Sequence, residues 1–258
     1  MIIVISPSKK LEIKDHLTAC EASTPVLIND TLELAKKLKT LSSADIAKLM
    51  GLSDALAQLN YERYQSFELK STPKHAYRAA SLYKGDVYDG LQATSLTKES
   101  LHYAQQHLRI LSGLYGLLRP LDMIQPHRLE MGTKLSTTRG RHLYDFWGER
   151  ITQELHLLLK KEKEPLLLNL ASNEYFKSVV KKQIDAPIVT VHFKEEKKGS
   201  LKAIMPYVKR ARGVMARYVI EQQIDNIEDI KSFDKEGYRF NKMHSSENEL
   251  MFSRKTAI

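Results

Sequence analysis

Cysteine is almost absent: there is one, Cys20, in 258 residues. A single thiol excludes an internal disulfide and any multi-cysteine metal site. Nothing in its sequence neighbourhood would depress its pKa, so a catalytic thiolate is not expected. No apolar run approaches the length of a membrane span, and no membrane partner is expected. The opening M-I-I-V-I-S-P-S-K-K is too short in its apolar part for a signal peptide and carries no basic residue ahead of it. It reads as a first buried strand over 2–6, and the cytoplasm is the expected compartment. Also missing are a Walker loop, a G-x-G-x-x-G after a strand, a G-x-S-x-G elbow and an H-E-x-x-H pair. The nine histidines are scattered. His102 and His107 stand five apart, poor helical spacing for one metal, and His127 and Glu130, three apart, fall in a turn-rich stretch. Neither a metal nor a cofactor is expected.

What the chain does have is positive charge: 40 Lys+Arg against 31 Asp+Glu, a net +9. That sign favours polyanionic partners such as nucleic acid, nucleotides or phosphorylated substrates. Hydrophobic residues make up 42% of the chain, enough for a real core. The length suits one large domain, and no repeat, low-complexity segment or linker divides residues 1–258.

The most unusual stretch is H-L-R-I-L-S-G-L-Y-G-L-L-R-P-L-D-M-I-Q-P-H-R-L-E-M-G, residues 107–132. Gly113, Gly116, Gly132, Pro120 and Pro126 prevent one long helix, so the expectation is short strand and helix pieces joined by tight turns. Among its apolar residues stand Arg109, Arg119, Asp122, Arg128 and Glu130. Charges in such a segment must be paired, solvated in a cleft or engaged with a ligand. Two compatible readings stay open: an internal network of Arg109 or Arg128 with Asp122 or Glu130, and a polar ligand cleft.

Elsewhere, periodicity and capping residues predict an amphipathic helix over 29–41 and another from Thr97 to about His107. A helix is expected over 74–83 after Pro73, then a turn and short strand for K-G-D-V-Y-D-G-L, which holds Lys84. A long helix is expected over 141–161, with Trp147 in the core. P-L-L-L-N-L-A-S reads as a buried strand whose exit carries Asn169, Ser172, Asn173, Glu174, Tyr175 and Lys177, a common way to place polar groups in a cleft. Lys9 and Lys10 follow the first strand in the same way, as ligand contacts or as solvated lysines. Residues 188–195 alternate as a strand, paired with 200–205, and the tail from Glu236 to Lys255 reads as a closing hairpin.

Two further segments bear on charge. In the helix 206–223, Val208, Ala211, Val214, Met215, Tyr218, Val219 and Gln222 share one arc at about 100° per residue. Lys209, Arg210, Arg212 and Arg217 share the other, with Gly213 and Ala216 between them. A mid-helix glycine costs about 1 kcal/mol against alanine and asks for a reason. Close approach of a phosphate is one reason, and packing is the other. In the stretch 42–66, Ser42 or Ser43 can cap one helix, Gly51 interrupts it, and Ser53 can cap a second. Leu49–Ala57 resembles a helix-hairpin-helix with Ser53 in place of its second glycine, and it is equally an ordinary helical hairpin.

Taken together, I-S-P-S-K, K-G-D-V-Y-D-G-L, the block 105–132, L-Y-D-F-W-G, N-L-A-S-N-E-Y-F-K-S-V and K-R-A-R-G-V-M-A-R-Y-V-I-E resemble the YaaA family of peroxide-stress resistance proteins. The resemblance runs in order along nearly the whole chain. It implies a single α+β domain of family-specific topology, a mixed sheet with surrounding helices, a helix-hairpin-helix element and a basic cleft. It also implies a cytoplasmic DNA-binding protein that limits damage when iron and peroxide coexist.

On this basis the expected partner is double-stranded DNA, bent or interrupted, held by its backbone without base reading. The expected contacts are Lys9, Gly51, Lys84, Arg109, Arg119, Arg128, Lys177, Lys209, Arg212, Gly213 and Arg217. Asp122, Glu130, Asn169, Ser172, Glu174 and Tyr175 are the expected polar groups of the cleft. Those acids and hydroxyls also suit an enzyme acting on an anionic small molecule or nucleotide, for which raised pKa values at Glu130 or Glu174 would speak. Direct binding of iron or haem has no ligand pattern in the sequence.

Overall fold

Four consecutive apolar residues, Ile2–Ile5, are what a strand covered on both faces requires. They form β1, buried throughout, in a computed structural model that describes residues 1–17, 21–70, 73–197 and 199–255. Cys20 lies outside the described residues. The chain continues through β2 (Lys10–Leu11), α1 (Ile28–Lys39), α2 (Ser43–Met50), α3 (Asp54–Ser66), β3 (Tyr77–Arg78), α4 (Ala79–Leu82), β4 (Tyr83–Lys84) and α5 (Asp86–Leu91). Then come α6 (Lys98–His107), β5 (Leu108–Ser112), β6 (Gly116–Leu118), β7 (Met123–Ile124), α7 (Leu143–Trp147), α8 (Arg150–Leu159), β8 (Leu167–Asn169) and α9 (Asn173–Phe176). The last third holds β9 (Ile188–Lys197), β10 (Ser200–Lys202), α10 (Met205–Gln222), α11 (Ile227–Lys231), β11 (Arg239–Phe240) and β12 (Glu249–Lys255).

The main sheet has eight strands in the order β11-β12-β9-β8-β1-β5-β6, with β10 paired to β9. β12, β9, β8, β1 and β5 run parallel, and β6, β10 and β11 are antiparallel additions. This is the mixed sheet with surrounding helices that the sequence led us to expect. The alternation of β9 buries Val189, Val191 and Phe193 on one face. Trp147 is fully buried, its indole N–H donating to the Gly113 carbonyl at 3.0 Å. No helix among the described residues is long and apolar enough to cross a membrane.

Three local expectations are corrected. Residues 74–83 are mostly not helical: Tyr77–Arg78 is drawn into a strand pair with β7, leaving only the single turn α4. In K-G-D-V-Y-D-G-L, Lys84 ends the short strand β4 and Gly85 (φ 113°) turns the chain, but Asp86–Leu91 form the helix α5, within which Gly90 is accommodated. The helix expected over 141–161 is two, broken at Gly148, whose φ of 49° is left-handed. Past the end of α6 at His107, residues 108–132 contribute strands and turns and no helix.

The hairpin α2–α3 is built as its residues suggest at one end and differently at the other. Ser42 and Asp45 make a reciprocal capping box at the start of α2, and Gly51 ends it at φ 61°. Ser53 holds the N-cap position of α3 in extended backbone, but its side chain makes no capping bond.

Candidate functional site

Parallel strands present their carboxyl ends together, and ligands of such sheets bind in the crevice just beyond. Here the exits of β1 and β8 are tied to each other. The Ser6 hydroxyl accepts from the Ser172 backbone N–H at 2.9 Å and donates to the Ser172 hydroxyl at 3.3 Å. α5 leans on the same place, with the Tyr88 hydroxyl donating to the Ser6 carbonyl at 3.2 Å. A small recess follows, lined by Ser8, Lys9, Tyr83, His127, Glu130 and Tyr175. Its free volume is about 10 Å³, room for a single water. Glu130 closes it, paired with Lys9 at 2.7 Å and with Arg128 at 2.9 Å.

Beneath this clasp the groups are aromatic, buried and uncharged. Tyr83 and Tyr88 stand with ring centroids 5.4 Å apart, and Tyr83 meets His127 edge-on at 6.2 Å. Burial pushes the hydroxyl pKa values of Tyr83, Tyr88 and Tyr175 upward. His127 faces the carbonyl oxygen of Gln125 at 2.8 Å through Nδ1, which therefore carries the ring proton, and burial lowers its pKa to about 4. The Glu130 carboxyl goes the other way from an enzyme's acid: burial raises it, but the hydrogen bonds and charges of Lys9 and Arg128 outweigh burial and hold it below its ordinary value. At neutral pH it is a carboxylate and a counter-ion. A group with that pKa is poorly matched to proton transfer near pH 7.

A neutral buried histidine has a consequence for stability. The unfolded imidazole takes a proton near pH 6.5, whereas the folded one resists until about pH 4. Between those values the unfolded state binds more protons, so the stability that His127 contributes is present above pH 6.5 and lost as pH falls through the folded value. Urea unfolding at pH 7 and pH 4 is expected to show the parent losing about 3 kcal/mol more than His127→Gln. Equal losses in the two proteins would remove His127 from the acid sensitivity.

The sequence-predicted cations separate into two sets. Lys9 lies in the β1–β2 turn, Lys84 on β4 paired with Lys10, and Lys177 at the end of α9, which follows β8, while Lys209 lies in the first turns of α10. Lys9 and Lys209 are exposed. Lys84 reaches Glu12 at 3.3 Å and Asp89 at 3.8 Å, and the Lys177 ammonium lies 5.1 Å above the Tyr144 ring. Glu174 accepts from the Gly132 N–H at 3.0 Å, and Asn169 bonds Thr190 and Ala171, so both act within the fold.

Arg109, Arg119 and Asp122 are elsewhere and are used internally. Asp122, fully buried, accepts from Arg119 backbone N–H at 2.8 Å, Arg119 Nε at 3.1 Å and the Ser23 hydroxyl at 2.6 Å. Arg109 donates to the carbonyls of Leu108 at 2.8 Å and Gln105 at 3.1 Å, and burial, then the charge of Arg119, lowers its pKa to about 10. The internal ion-pair reading of residues 107–132 therefore holds for Arg128–Glu130, whereas Asp122 pairs with Arg119 and Arg109 bonds backbone carbonyls instead of either acid. None of Arg109, Arg119 and Asp122 lines the recess.

The glycine strip of α10 is not open. A methyl on Gly213 would fall within 2.8 Å of the Val87 carbonyl carbon and the Leu91 nitrogen, and nearer still to the Val87 oxygen. Gly90 of α5 faces it, equally crowded by Arg210, Gly213 and Val214. The two glycines let two helix backbones touch, so α5 occupies the place that the sequence offered to a phosphate. Arg217 turns to α5 as well, donating to the Gln92 carbonyl at 3.1 Å and the Ser95 hydroxyl at 2.8 Å, and pairs with Glu221 at 2.7 Å. Arg212 is partly buried, and its inaccessible Nε has no hydrogen-bond partner among the described residues.

Sequence reasoning missed Ser6, Tyr83, Tyr88 and the placement of His127. The available signal was the serine-rich exit of the first strand and two glycines in separate segments, each needing a close neighbour. A second, larger hollow of about 600 Å³ lies beside the hairpin, between α1, α2 and residues 132–136, with Lys37, Lys48 and Lys134 around Leu41, Leu49 and Leu135.

Residues 1–244 match a family model described as peroxide stress protein YaaA. A UPF0246 protein of Legionella pneumophila (strain Lens) is 51% identical over 98% of this chain and 99% of its own. A UPF0246 protein of Azoarcus sp. (strain BH72) is 51% identical over 99% of each chain, and one of Alteromonas mediterranea is 47% identical over 98% of each.

Proposed function

The chain belongs to the peroxide stress protein YaaA family, and from that premise we propose that it acts in the peroxide stress response by binding duplex DNA along its phosphates. The observation that carries this reading is the outward set of lysines. Lys9 and Lys84 lie on the paired segments after β1, Lys177 ends the helix after β8 and Lys209 stands exposed on α10, while Arg119, Arg128 and Arg217 are engaged by acids or carbonyls of the fold. Exposed ammonium groups on long stems suit a polyanion whose position along the surface is not fixed. The hairpin α2–α3 extends the surface: Gly51 is exposed, and Lys37, Lys48 and Lys134 line the hollow beside the hairpin together with Asp45. We assign no base-reading element among the described residues, so binding is sequence-tolerant and depends strongly on salt. The cytoplasm is the compartment this role needs.

An enzyme acting on an anionic small molecule or nucleotide is the second reading. The buried tyrosines and His127 behind Glu130 favour it, and the lowered pKa of Glu130 speaks against that carboxyl as its acid.

The test is binding of labelled duplex, intact and nicked, at two salt concentrations, by the parent and by Lys177→Glu with Lys209→Glu. Both side chains are exposed, so folding is checked but not expected to change. The double variant should bind at least roughly tenfold more weakly, and its log K against log salt should be shallower by about 2. If parent and variant bind alike, or the parent does not bind near physiological salt, the DNA reading fails.

A further inference from the structure

The hollow of about 600 Å³ lies where the end of α1 and the helix α2 meet residues 132–136. That is the size of an ordinary small-molecule site. Its floor is apolar: Leu135 is buried, and Leu41 and Leu49 are half-buried and pack on the core. Around the floor stand Lys37, Lys48 and Lys134, all exposed, and none of them forms an ion pair among the described residues.

The acids nearby are already engaged. Asp45 completes the capping box of α2, its carboxylate accepting from the Ser42 N–H at 2.9 Å and the Ser42 hydroxyl at 2.6 Å. It feels the charge of Lys48 without pairing with it. Glu174 reaches the Gly132 end of the hollow, where it accepts from the Gly132 N–H at 3.0 Å. The donors, by contrast, are free. Thr133 is only 8% exposed, yet its hydroxyl has no hydrogen-bond partner among the described residues. That hydroxyl is not sealed from solvent, so it opens on the hollow that Thr133 lines. The Ser136 hydroxyl and the backbone N–H groups of Lys134, Leu135 and Ser136 have no partner among the described residues either. Positive charge and unused donors over an apolar floor call for a negatively charged acceptor joined to a body that water disfavours. A DNA backbone offers the charge and lacks the body.

We propose that the hollow between α1, α2 and residues 132–136 binds a small amphipathic anion, a carboxylate or phosphate carried on an aliphatic or aromatic body. The lysines and the Thr133 hydroxyl hold the head group, and Leu41, Leu49 and Leu135 cover the body. The site goes beyond the DNA reading, does not depend on it, and is measured without DNA.

The experiment is a calorimetric titration of the parent with hexanoate, decanoate, decyl phosphate, inorganic phosphate and decyltrimethylammonium, each below its micelle-forming concentration. One equivalent of decanoate or decyl phosphate is expected to bind, with decanoate roughly tenfold tighter than hexanoate because its longer chain covers more of the floor. Inorganic phosphate has the head without the body, and decyltrimethylammonium has the body with the wrong charge. Both are expected to bind more weakly than decyl phosphate by roughly tenfold or more. Decyl phosphate ahead of decanoate assigns a phosphate head, and the reverse order assigns a carboxylate. Lys48→Glu with Lys134→Glu is expected to weaken binding by roughly tenfold or more. Thr133→Val removes a hydroxyl that nothing in the fold uses, so it is expected to melt with the parent and to bind on the order of fivefold more weakly. The lysine variant gives the answer by itself if Thr133→Val does not fold. The proposal is overturned if neither decyl anion binds below about 1 mM, or if several equivalents bind in place of one. It is equally overturned if chain length or the sign of the charge makes no difference, or if the variants bind like the parent.

Discussion

Gly213→Ala is expected to destabilise the protein by about 3 kcal/mol or more, against the direction of helix propensity. In an isolated helix the same change would stabilise by about 1 kcal/mol. The difference lies in what the new methyl would meet. It would overlap the Val87 carbonyl and come within 2.8 Å of the Leu91 nitrogen, both backbone atoms of α5. Backbone cannot rotate aside as a side chain can, so α5 and α10 must separate, and overpacking of this kind costs 1–3 kcal/mol even where side chains can yield. Separating them also draws Gly90 away from Val214 and loosens the grip of Arg217 on Gln92 and Ser95. The urea midpoint of the variant measures this directly. A higher midpoint than the parent's would mean that the strip is open and that α5 does not rest on it.

Asp122→Ala should come next in size, at about 3 kcal/mol. The carboxylate is fully buried and satisfies the Arg119 backbone N–H, the Arg119 guanidinium and the Ser23 hydroxyl at once. Removing one member of a buried pair strands the others and costs about 3–5 kcal/mol. The lower figure applies because the Arg119 side chain remains 35% exposed and can turn to water. Asp122 also holds the segment around Ser23 against the core, where Ser23 N–H donates to the Leu121 carbonyl at 3.0 Å and Met123 N–H donates to the Ser23 carbonyl at 2.8 Å. Asp122→Asn keeps an acceptor and should lose markedly less. Equal midpoints for the alanine variant and the parent would show that the pair contributes nothing.

Which parts of this were legible in the sequence follows from where the information sits. β8, β9 and α6 were readable because their own residues declare them: an unbroken apolar run, strict alternation, and a Thr97 cap that accepts from Ser100. The segment 84–91 was not, because Gly90 reads as a helix breaker until α10 is laid against it. Tyr77 and Arg78 are extended only because β7 is there to pair with them. The site divides in the same way. The exits after β1 and β8 were visible as polar residues behind apolar runs. Which cations would face water was not visible, since α5 decides it: its arrival turns Arg217 inward and closes the glycine strip, leaving Lys177 and Lys209 outside. A charge pattern on a helix names the residues able to meet a phosphate, and the neighbouring helix selects among them.

The order of strands bears on how the chain is made as well as on what it becomes. β12 comes after every strand it joins, yet it lies inside the sheet, parallel to β9 from Glu249 through Lys255 and antiparallel to β11. Its Phe252 is fully buried and packs with Phe193, Phe233 and Phe240. During synthesis the β9 edge must wait with its hydrogen-bonding groups unpaired until residues 249–255 have left the ribosome. An unpaired strand edge is a template for other chains. The interval before release is therefore when a newborn molecule is most open to aggregation, and a strand-specific chaperone would find its target on β9.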